Sequence, residues 1–185
     1  MKQAVMLFAE GFEEVEALMT VDLLRRGGVA VSLASITDDM TVCGSHDIQV
    51  GMDTTLAEVD LRQMDAILIP GGLAGTNNLG ADANVRRALV SMHEAGKIVG
   101  AICAAPSVLG ACGILKGRKA TCYPGFEDRL DGAAFVDEMV VTDGNVVTSR
   151  GLGTSMEFGF RLLEMLVSKE TADDVREKIV FKYSL

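Results

Sequence analysis

Histidines and closely spaced cysteine pairs are scarce in this sequence. It contains two histidines, and none of its four cysteines stands in a C-x-x-C pair. Structural zinc sites combine cysteines and histidines at such short spacings, so we expect no metal site. The cysteines are Cys43, Cys103, Cys112 and Cys122. We expect them to be free thiols, because disulfide bonds are rare in proteins of reducing compartments.

The sequence also lacks an excess of positive charge and any long apolar run. Its formal net charge is -9 at pH 7, which argues against nucleic acid and anionic membranes as partners. No apolar stretch approaches the roughly 18 residues of a membrane span. The first apolar run, 4–9, is shorter than the core of a secretory signal and is followed by glutamates. We therefore expect a cytoplasmic protein without membrane contacts.

Internal repeats, low-complexity linkers and composition breaks are absent as well, which predicts one domain over residues 1–185. Short apolar runs alternate with helical patterns, and this alternation predicts parallel strands joined by crossover helices. The expected fold class is α/β. It is a doubly wound, mostly parallel sheet with helices on both faces and a small antiparallel hairpin addition.

Turn residues and apolar periodicity locate the individual elements. We expect strands at 2–9, 29–36, 65–70, 98–102 and 119–123, and a hairpin at 139–148. Helices are predicted at 13–26, 82–95, 154–168 and 172–181, with Thr154 and Glu157 forming a capping box. Residues 37–56 should form an irregular hairpin that projects from the sheet, and 75–80 a polar loop.

Cys103 is the candidate nucleophile because of the turn in which it stands. The apolar run Ile98–Ile102 predicts a buried strand, and Pro106 suits the first turn of a helix. Unpaired backbone N–H groups and the positive end of the helix dipole meet at such a turn. The position therefore predicts a lowered thiol pKa and a reactive thiolate.

Two other predicted strands also end in small residues. Gly11 follows the first strand, and Gly71 and Gly72 follow the third. Because open parallel sheets bind ligands beyond the carboxyl ends of their strands, we expect these glycines to lie near Cys103. The arrangement is analogous to a nucleophile elbow, although the G-x-S-x-G motif is missing.

Glu16 is the candidate proton carrier. It shares one face of the first predicted helix with Phe12, Met19 and Leu23. A carboxyl group drawn into an apolar site has a raised pKa and acts as a donor when protonated or as a base when ionised. The alternative is an ordinary surface acid at the helix edge.

The two histidines have less specific surroundings. His93 stands near the end of a predicted helix, where we expect a solvated side chain. His46 lies in the projecting hairpin, as a turn residue or as part of a site.

Four motifs together resemble the ThiJ/PfpI superfamily, and within it the branch of the parkinsonism-associated protein deglycase and its bacterial relatives. They are Gly11-Phe-Glu-Glu-Val-Glu16, Leu68-Ile-Pro-Gly-Gly72, Ala101-Ile-Cys-Ala-Ala-Pro106 and Thr148-Ser-Arg-Gly-Leu-Gly-Thr154. The resemblance covers nearly the whole chain. It implies a flavodoxin-like sandwich and a homodimer.

The resemblance also implies roles for individual residues. Cys103 would be the reactive cysteine and Glu16 its protonated partner. Gly71, Gly72 and Ala104 would surround the sulfur or a substrate oxyanion with backbone N–H groups. Tyr123, His46 and Arg26 are expected in the surrounding layer.

This sequence departs from the family pattern at three positions. Tyr123 stands before Pro124 where many relatives have histidine, so a Cys-His dyad of the protease type is missing there. His46 replaces a common arginine, which makes a permanent charge titratable if the hairpin approaches the partner's Cys103. Leu152 replaces a common proline.

Three functions remain open on this basis. The first is a cofactor-free enzyme that uses Cys103 and Glu16 on methylglyoxal, glyoxal or their protein adducts, of the glyoxalase III or deglycase type. The second is a redox sensor whose Cys103 is oxidised to sulfinate. The third is an interaction domain with an inert Cys103.

Overall fold

The structure is a computed structural model that describes residues 1–181, so the last four residues of the predicted domain lie outside it. Its strands are β1 (Gln3–Phe8), β2 (Ala30–Ser35), β3 (Thr41–Cys43), β4 (Gln49–Gly51), β5 (Thr54–Thr55), β6 (Ala66–Ile69), β7 (Ile98–Ile102), β8 (Lys119–Ala120), β9 (Ala134–Phe135), β10 (Val140–Asp143) and β11 (Val146–Ser149). Its helices are α1 (Glu14–Arg26), α2 (Leu73–Ala81), α3 (Ala83–Glu94), α4 (Pro106–Ala111), α5 (Ser155–Leu166) and α6 (Lys169–Lys178). Short 3₁₀ turns lie at Leu56–Glu58, Glu127–Arg129 and Leu152–Thr154.

The central sheet has the strand order β10-β11-β7-β6-β1-β2-β5. Adjacent strands in this sheet are parallel from β11 through to β5. The edge strand β10 is antiparallel to β11. The chain passes from β1 to β2 on one side and then returns to β6 on the other. Such a switch point is where α/β sheets bind ligands. The predicted fold class is confirmed.

Helices cover both faces of this sheet, with α1, α5 and α6 over one face and α3 and α4 over the other. β1 shows how the sequence produces two cores. Met6 and Phe8 face the first core, Val5 and Leu7 face the second, and all four are fully buried. Apolar residues on both faces are typical of a strand inside a parallel sheet.

Both predicted hairpins are present. β3 and β4 pair antiparallel as a small sheet of their own, with Val42 opposite Val50. β10 and β11 pair antiparallel around the turn at 144–145, and β11 continues into the sheet beside β7.

The prediction of a polar loop at 75–80 is wrong, because these residues belong to α2. Two glycines and two asparagines give the segment poor helix propensity. Tertiary packing outweighs it, since Leu79 is fully buried and Gly75 lies directly against the chain after β1. A Cβ atom on Gly75 would be 2.7 Å from the Cα of Phe12.

Residues 119–123 form a strand only at Lys119–Ala120, which pairs with β9 outside the central sheet. The next backbone groups bond elsewhere: the N–H of Thr121 donates to the Thr148 hydroxyl at 2.9 Å.

The predicted capping box of α5 is also wrong. The Thr154 hydroxyl bonds to Gly151 and Ser149 instead, which leaves it without a helix N–H.

The last helix begins at Lys169 rather than 172 and ends at Lys178. Ser168 explains the earlier start, because its hydroxyl accepts a hydrogen bond from the N–H of Thr171. Over residues 1–181, none of the helices combines the length and the apolar composition needed to cross a bilayer.

Candidate active site

Cys103 occupies the turn between β7 and α4, as predicted. Its φ of 66° is left-handed, which is unusual for a residue other than glycine. Two backbone hydrogen bonds hold this conformation. The N–H of Cys103 donates to the Ser149 carbonyl at 2.9 Å, and the Tyr123 N–H donates to the Cys103 carbonyl at 2.8 Å. The turn thus fixes the direction of the sulfur.

Glu16, in the first turn of α1, is 1% exposed. Its Oε2 accepts a hydrogen bond of 2.9 Å from the N–H of Gly71. A Cβ atom on Gly71 would be 2.4 Å from this Oε2, 2.5 Å from the Cβ of Cys103 and 3.1 Å from its Sγ. The carboxyl group and the thiol therefore meet in the space that Gly71 leaves open.

Burial raises the pKa of Glu16 to about 7. The nearby Glu13 carboxylate also raises it, whereas hydrogen bonds with Cys103, Gly71 and Leu152 lower it. The expected raised pKa of Glu16 is thus supported by its surroundings. The alternative of a surface acid is wrong, because the side chain has almost no contact with solvent.

The expectation of a lowered pKa for Cys103 is not met. Burial, and after it the facing Glu16 carboxylate, raise the pKa of the Cys103 thiol to about 12. Backbone hydrogen bonds from Ala104 and Gly72 lower it, in the predicted direction, but burial and Glu16 outweigh them. Because the thiol and the carboxyl group share a hydrogen bond, the protonation of each group depends on that of the other.

The three predicted backbone donors, Gly71, Gly72 and Ala104, have different hydrogen-bond partners. Gly72 and Ala104 both direct backbone hydrogen bonds to Cys103. Gly72 has φ of 86°, and a Cβ atom there would be 2.4 Å from the carbonyl oxygen of Gly11. The Gly71 N–H is engaged by Glu16, so it holds the acid in place and is not free for an oxyanion.

Tyr123 is next to the Glu16–Cys103 pair. Its backbone N–H bonds to the Cys103 carbonyl, and its ring lies near Gly151. A Cβ atom on Gly151 would be 3.3 Å from the ring carbon Cδ2 and 3.7 Å from Oε1 of Glu16. The Tyr123 ring and the Glu16 carboxyl group therefore border the same space beside Gly151. Gly151 was not predicted as a site residue, and the signal that could have indicated it is its place in the glycine-rich turn after β11.

Glu13 is a second residue whose role was missed. Its carboxylate caps α1 by accepting a hydrogen bond of 2.6 Å from the N–H of Glu16. The signal was available, because an acid directly before a helix is a common N-cap. Glu13 fixes the first turn of α1 and thereby the direction of Glu16.

His46 is in the loop of the β3–β4 hairpin, where it pairs with Glu14 and not with Cys103. Its N–H donates to Oε1 of Glu14 at 2.7 Å, and Nδ1 lies 3.0 Å from Oε2. The contact with Glu14 raises the pKa of His46. Burial raises the pKa of Glu14, but hydrogen bonds from His46 outweigh it and lower that pKa to about 2.

A metal ion could be considered at this point, since ligand atoms of Glu13, Glu14 and His46 lie within 4.8 Å of one another. Their carboxylates already accept hydrogen bonds from Glu16, from His46 and from the Ser45 hydroxyl. We therefore assign the group a structural role, in which it ties the hairpin to α1.

Arg26 is not at the site. It is the last residue of α1 and forms an ion pair of 2.5 Å with Asp22. Ten residues of helix place it about 15 Å from Glu16, so the expectation for Arg26 is wrong within one chain.

The remaining predicted thiols and His93 lie apart from the pair. All four cysteines are free, as expected; Cys122 is buried, and Cys43 and Cys112 are half-buried. His93 is half-buried rather than solvated, and burial lowers its pKa. Its Nδ1 has no hydrogen-bond partner within residues 1–181.

Comparison with known proteins identifies the family of this chain. Residues 2–165 match the model of the DJ-1/PfpI family. The chain is 38% identical to protein dj-1beta of Drosophila melanogaster, over 99% of both chains. It is 33% identical to the glutathione-independent glyoxalase DJR-1.2 of Caenorhabditis elegans, over 92% of this chain and 91% of that protein.

A solved structure of oxidized Toxoplasma gondii DJ-1 is also similar. It superposes with a TM-score of 0.94 at 33% identity, and the match covers 99% of this chain and 100% of the other. The resemblance inferred from four short motifs therefore extends over the length of the chain, and this protein belongs to the DJ-1/PfpI family.

Proposed function

We propose that this protein is a cofactor-free enzyme that converts small 2-oxoaldehydes into 2-hydroxy acids. The observation that carries the proposal is the buried Glu16–Cys103 pair, which lies beside the backbone N–H groups of Gly72 and Ala104. A thiol, a proton carrier and oxyanion donors are the groups that this reaction needs. The similar C. elegans protein is named a glutathione-independent glyoxalase, which supports the same reaction class.

In the first step, the Glu16 carboxylate accepts the thiol proton while Sγ of Cys103 bonds to the aldehyde carbon. The aldehyde oxygen becomes an oxyanion, which the N–H groups of Gly72 and Ala104 stabilise until it receives the proton from Glu16, and this transfer leaves Glu16 ionised again. The product is a hemithioacetal. Because this step needs the ionised carboxylate, we expect turnover to rise as the pH passes the Glu16 pKa of about 7.

In the second step, Glu16 removes the proton from the former aldehyde carbon and returns it to the neighbouring ketone carbon. The hydroxyl proton of the hemithioacetal passes to the ketone oxygen. The first carbon is oxidised to a thioester and the second is reduced to an alcohol, so no external oxidant or reductant is required. Water then cleaves the thioester, which releases the hydroxy acid and regenerates the Cys103 thiol.

The test is to incubate the protein with methylglyoxal, without glutathione, and to measure lactate. We expect lactate from the wild type and from Cys112→Ser, the matched control for a half-buried cysteine outside the site. Cys103→Ser should reduce the rate to background. Equal lactate from wild type and Cys103→Ser would overturn the proposal. Protein adducts of the same aldehydes are the related substrates to test next.

A redox sensor is the second candidate function. The backbone N–H groups around Cys103 suit an oxidised sulfur anion as well as a substrate oxyanion. The similar Toxoplasma gondii DJ-1 structure is described as oxidized. Intact mass after mild peroxide should show two added oxygen atoms that map to Cys103. Oxidation confined to Cys43, Cys112 or Cys122 would contradict this function.

We also propose that the protein is a cytoplasmic homodimer. Val15, on α1, and Ile48, in the β3–β4 loop, are exposed apolar side chains. The backbone of Ile48 bonds to Glu14, the neighbour of Val15, so both belong to one surface. Apolar side chains grouped on a surface favour contact with a second copy.

A further inference from the structure

Three large apolar side chains are exposed around the Glu16–Cys103 pair. Leu73 is 61% exposed, Leu152 is 51% exposed and Tyr123 is 49% exposed. Leu73 follows Gly72, whose backbone faces the sulfur, and the backbone of Leu152 bonds to Glu16. The proposed reaction steps use none of these three side chains. Exposed apolar groups concentrated at one site are typical of a binding surface.

The Tyr123 ring has a fixed position on the Glu16 side of this surface. A Cβ atom added to Gly151, the residue before Leu152, would be 3.3 Å from Cδ2 of this ring. The Phe126 ring packs against it edge to face, with 6.5 Å between the centroids. The Arg129 guanidinium lies 4.8 Å from the centroid of Phe126. Tyr123 and Leu152 thus border the same side of the pair.

We propose that Tyr123 and Leu152 select 2-oxoaldehydes whose substituent is a large apolar or aryl group. The inference rests on the proposed function. The aldehyde carbon bonds to Sγ of Cys103, and the aldehyde oxygen accepts hydrogen bonds from the N–H groups of Gly72 and Ala104. The ketone carbon must then lie towards Glu16, because Glu16 moves the proton between the two carbons.

That orientation directs the substituent on the ketone carbon to Tyr123 and Leu152. The methyl group of methylglyoxal is too small to cover both side chains. A phenyl ring has the area to contact Leu152 and to pack against the Tyr123 ring, which is a favourable aromatic arrangement. This contact removes apolar surface of the ring and of both side chains from water, which favours binding of the larger substrate.

The reaction of such a substrate balances without further reagents. Phenylglyoxal and water give mandelate: the aldehyde carbon is oxidised to a carboxylate, the ketone carbon is reduced to an alcohol, and water supplies the second carboxylate oxygen. The proton and electron pair move between adjacent carbons of the same molecule.

The test compares kcat/KM for phenylglyoxal with kcat/KM for methylglyoxal in each variant, because the ratio cancels general effects on the thiol. We expect Leu152→Ala and Tyr123→Ala each to lower this ratio about tenfold. Tyr123→Phe, which keeps the ring, should keep the ratio within about twofold. Val167→Ala is the matched control, since Val167 is 44% exposed and borders a surface depression with Met1 and Lys2.

The outcomes separate the two proposals. If the wild type turns over methylglyoxal and neither Leu152→Ala nor Tyr123→Ala changes the ratio, the selection proposal is overturned and the reaction stands. If the wild type forms neither lactate nor mandelate beyond the Cys103→Ser background, the proposed function is overturned together with it.

Discussion

Cys103 adopts a backbone conformation that costs an L-residue roughly 1–2 kcal/mol relative to the right-handed region. The cost is sustained because its N–H and carbonyl bond to Ser149 and Tyr123, which belong to separate parts of the chain. Strain held in this way is typical of functional positions. The sequence gives no signal for it, since left-handed positions are recognised from glycine or asparagine.

The coupling between Glu16 and Cys103 can be measured with Glu16→Gln. The substitution removes the negative charge that helps to raise the Cys103 pKa, so that pKa should fall. At a fixed pH below the pKa, the thiolate fraction rises about tenfold for each unit by which the pKa falls. Because a less basic thiolate is also a weaker nucleophile, alkylation by iodoacetamide should accelerate about three- to fourfold for each unit. Oxoaldehyde turnover should fall by at least about 100-fold, because the proton carrier is lost.

The control for this variant is Glu94→Gln, an exposed acid at the end of α3. It should change neither alkylation nor turnover. An unchanged or higher pKa of Cys103 in Glu16→Gln would contradict the assigned coupling.

Gly71 permits a second comparison at the scale of one residue. Its substitution by alanine places a methyl group 2.4 Å from Oε2 of Glu16 and 2.5 Å from the Cβ of Cys103. We expect a loss of about 2–3 kcal/mol in the free energy of unfolding, together with loss of Cys103 function. Urea denaturation measures the first effect.

Gly51→Ala is the matched control, because no atom lies within 4 Å of the added Cβ and the backbone is not left-handed. It should change stability by less than about 1 kcal/mol. Equal stabilities of the two variants would show that the space at Gly71 is not needed.

At the scale of elements, Glu14 joins the β3–β4 hairpin to α1. Its oxygens accept hydrogen bonds from the backbone and ring of His46 and from the Ser45 hydroxyl. A Cβ atom on Gly44 would be 2.2 Å from Oε1 of Glu14, so the hairpin approaches the carboxylate through a glycine. The buried Glu14 carboxylate is therefore one attachment of the hairpin, beside the backbone hydrogen bonds from Gly11 to Cys43 and from Ser45 to Phe12.

This attachment should depend on pH with a defined sign. The folded-state pKa of Glu14 is lowered to about 2, so its stabilising effect is present above pH 4.5 and is lost as the pH falls towards 2. Glu14→Gln should be less stable than wild type by about 3 kcal/mol at pH 7. That difference should shrink below pH 4.

Urea denaturation across this pH range provides the measurement, and Glu177→Gln, an exposed acid on α6, is the control. A Glu14→Gln difference that stays constant from pH 7 to pH 2 would contradict the assigned role.

The elements differ in how well the sequence predicts them. Strands such as Ile98–Ile102 are continuous apolar runs bounded by glycine and lysine, and these signals are local. α2 was missed because its residues are poor helix formers and its formation depends on Gly75 docking against Phe12. The same holds for 119–123, where a side-chain hydroxyl of Thr148 replaces a strand partner.

The site was predictable only where its signals are local in the sequence. The turn position of Cys103 and the apolar alignment of Glu16 are local patterns. The pKa of Cys103 depends on burial and on a carboxylate that is distant in sequence, so the local pattern gave the wrong direction. The function of Gly71 in holding Glu16 likewise depends on the sheet order.

At the scale of the whole molecule, the proposed homodimer predicts a mass in solution of twice the chain's 19.6 kDa. Light scattering after size exclusion measures it. Ile48→Lys should shift the protein towards the monomer, because it puts a charge into the proposed apolar contact. Val167→Lys, an exposed apolar position elsewhere, should leave the mass unchanged. A monomeric wild type would contradict the dimer.

The groups around Cys103 come from three adjacent strands: Glu16 follows β1, Gly72 follows β6 and Cys103 follows β7. The high thiol pKa is therefore a property of the folded sheet, and an unfolded copy has an ordinary thiol with a pKa of about 8.5. Mild alkylating agents should react faster with unfolded molecules than with native ones. Irreversible loss of the thiol thus falls first on copies that have already lost the fold, and the native population keeps its nucleophile.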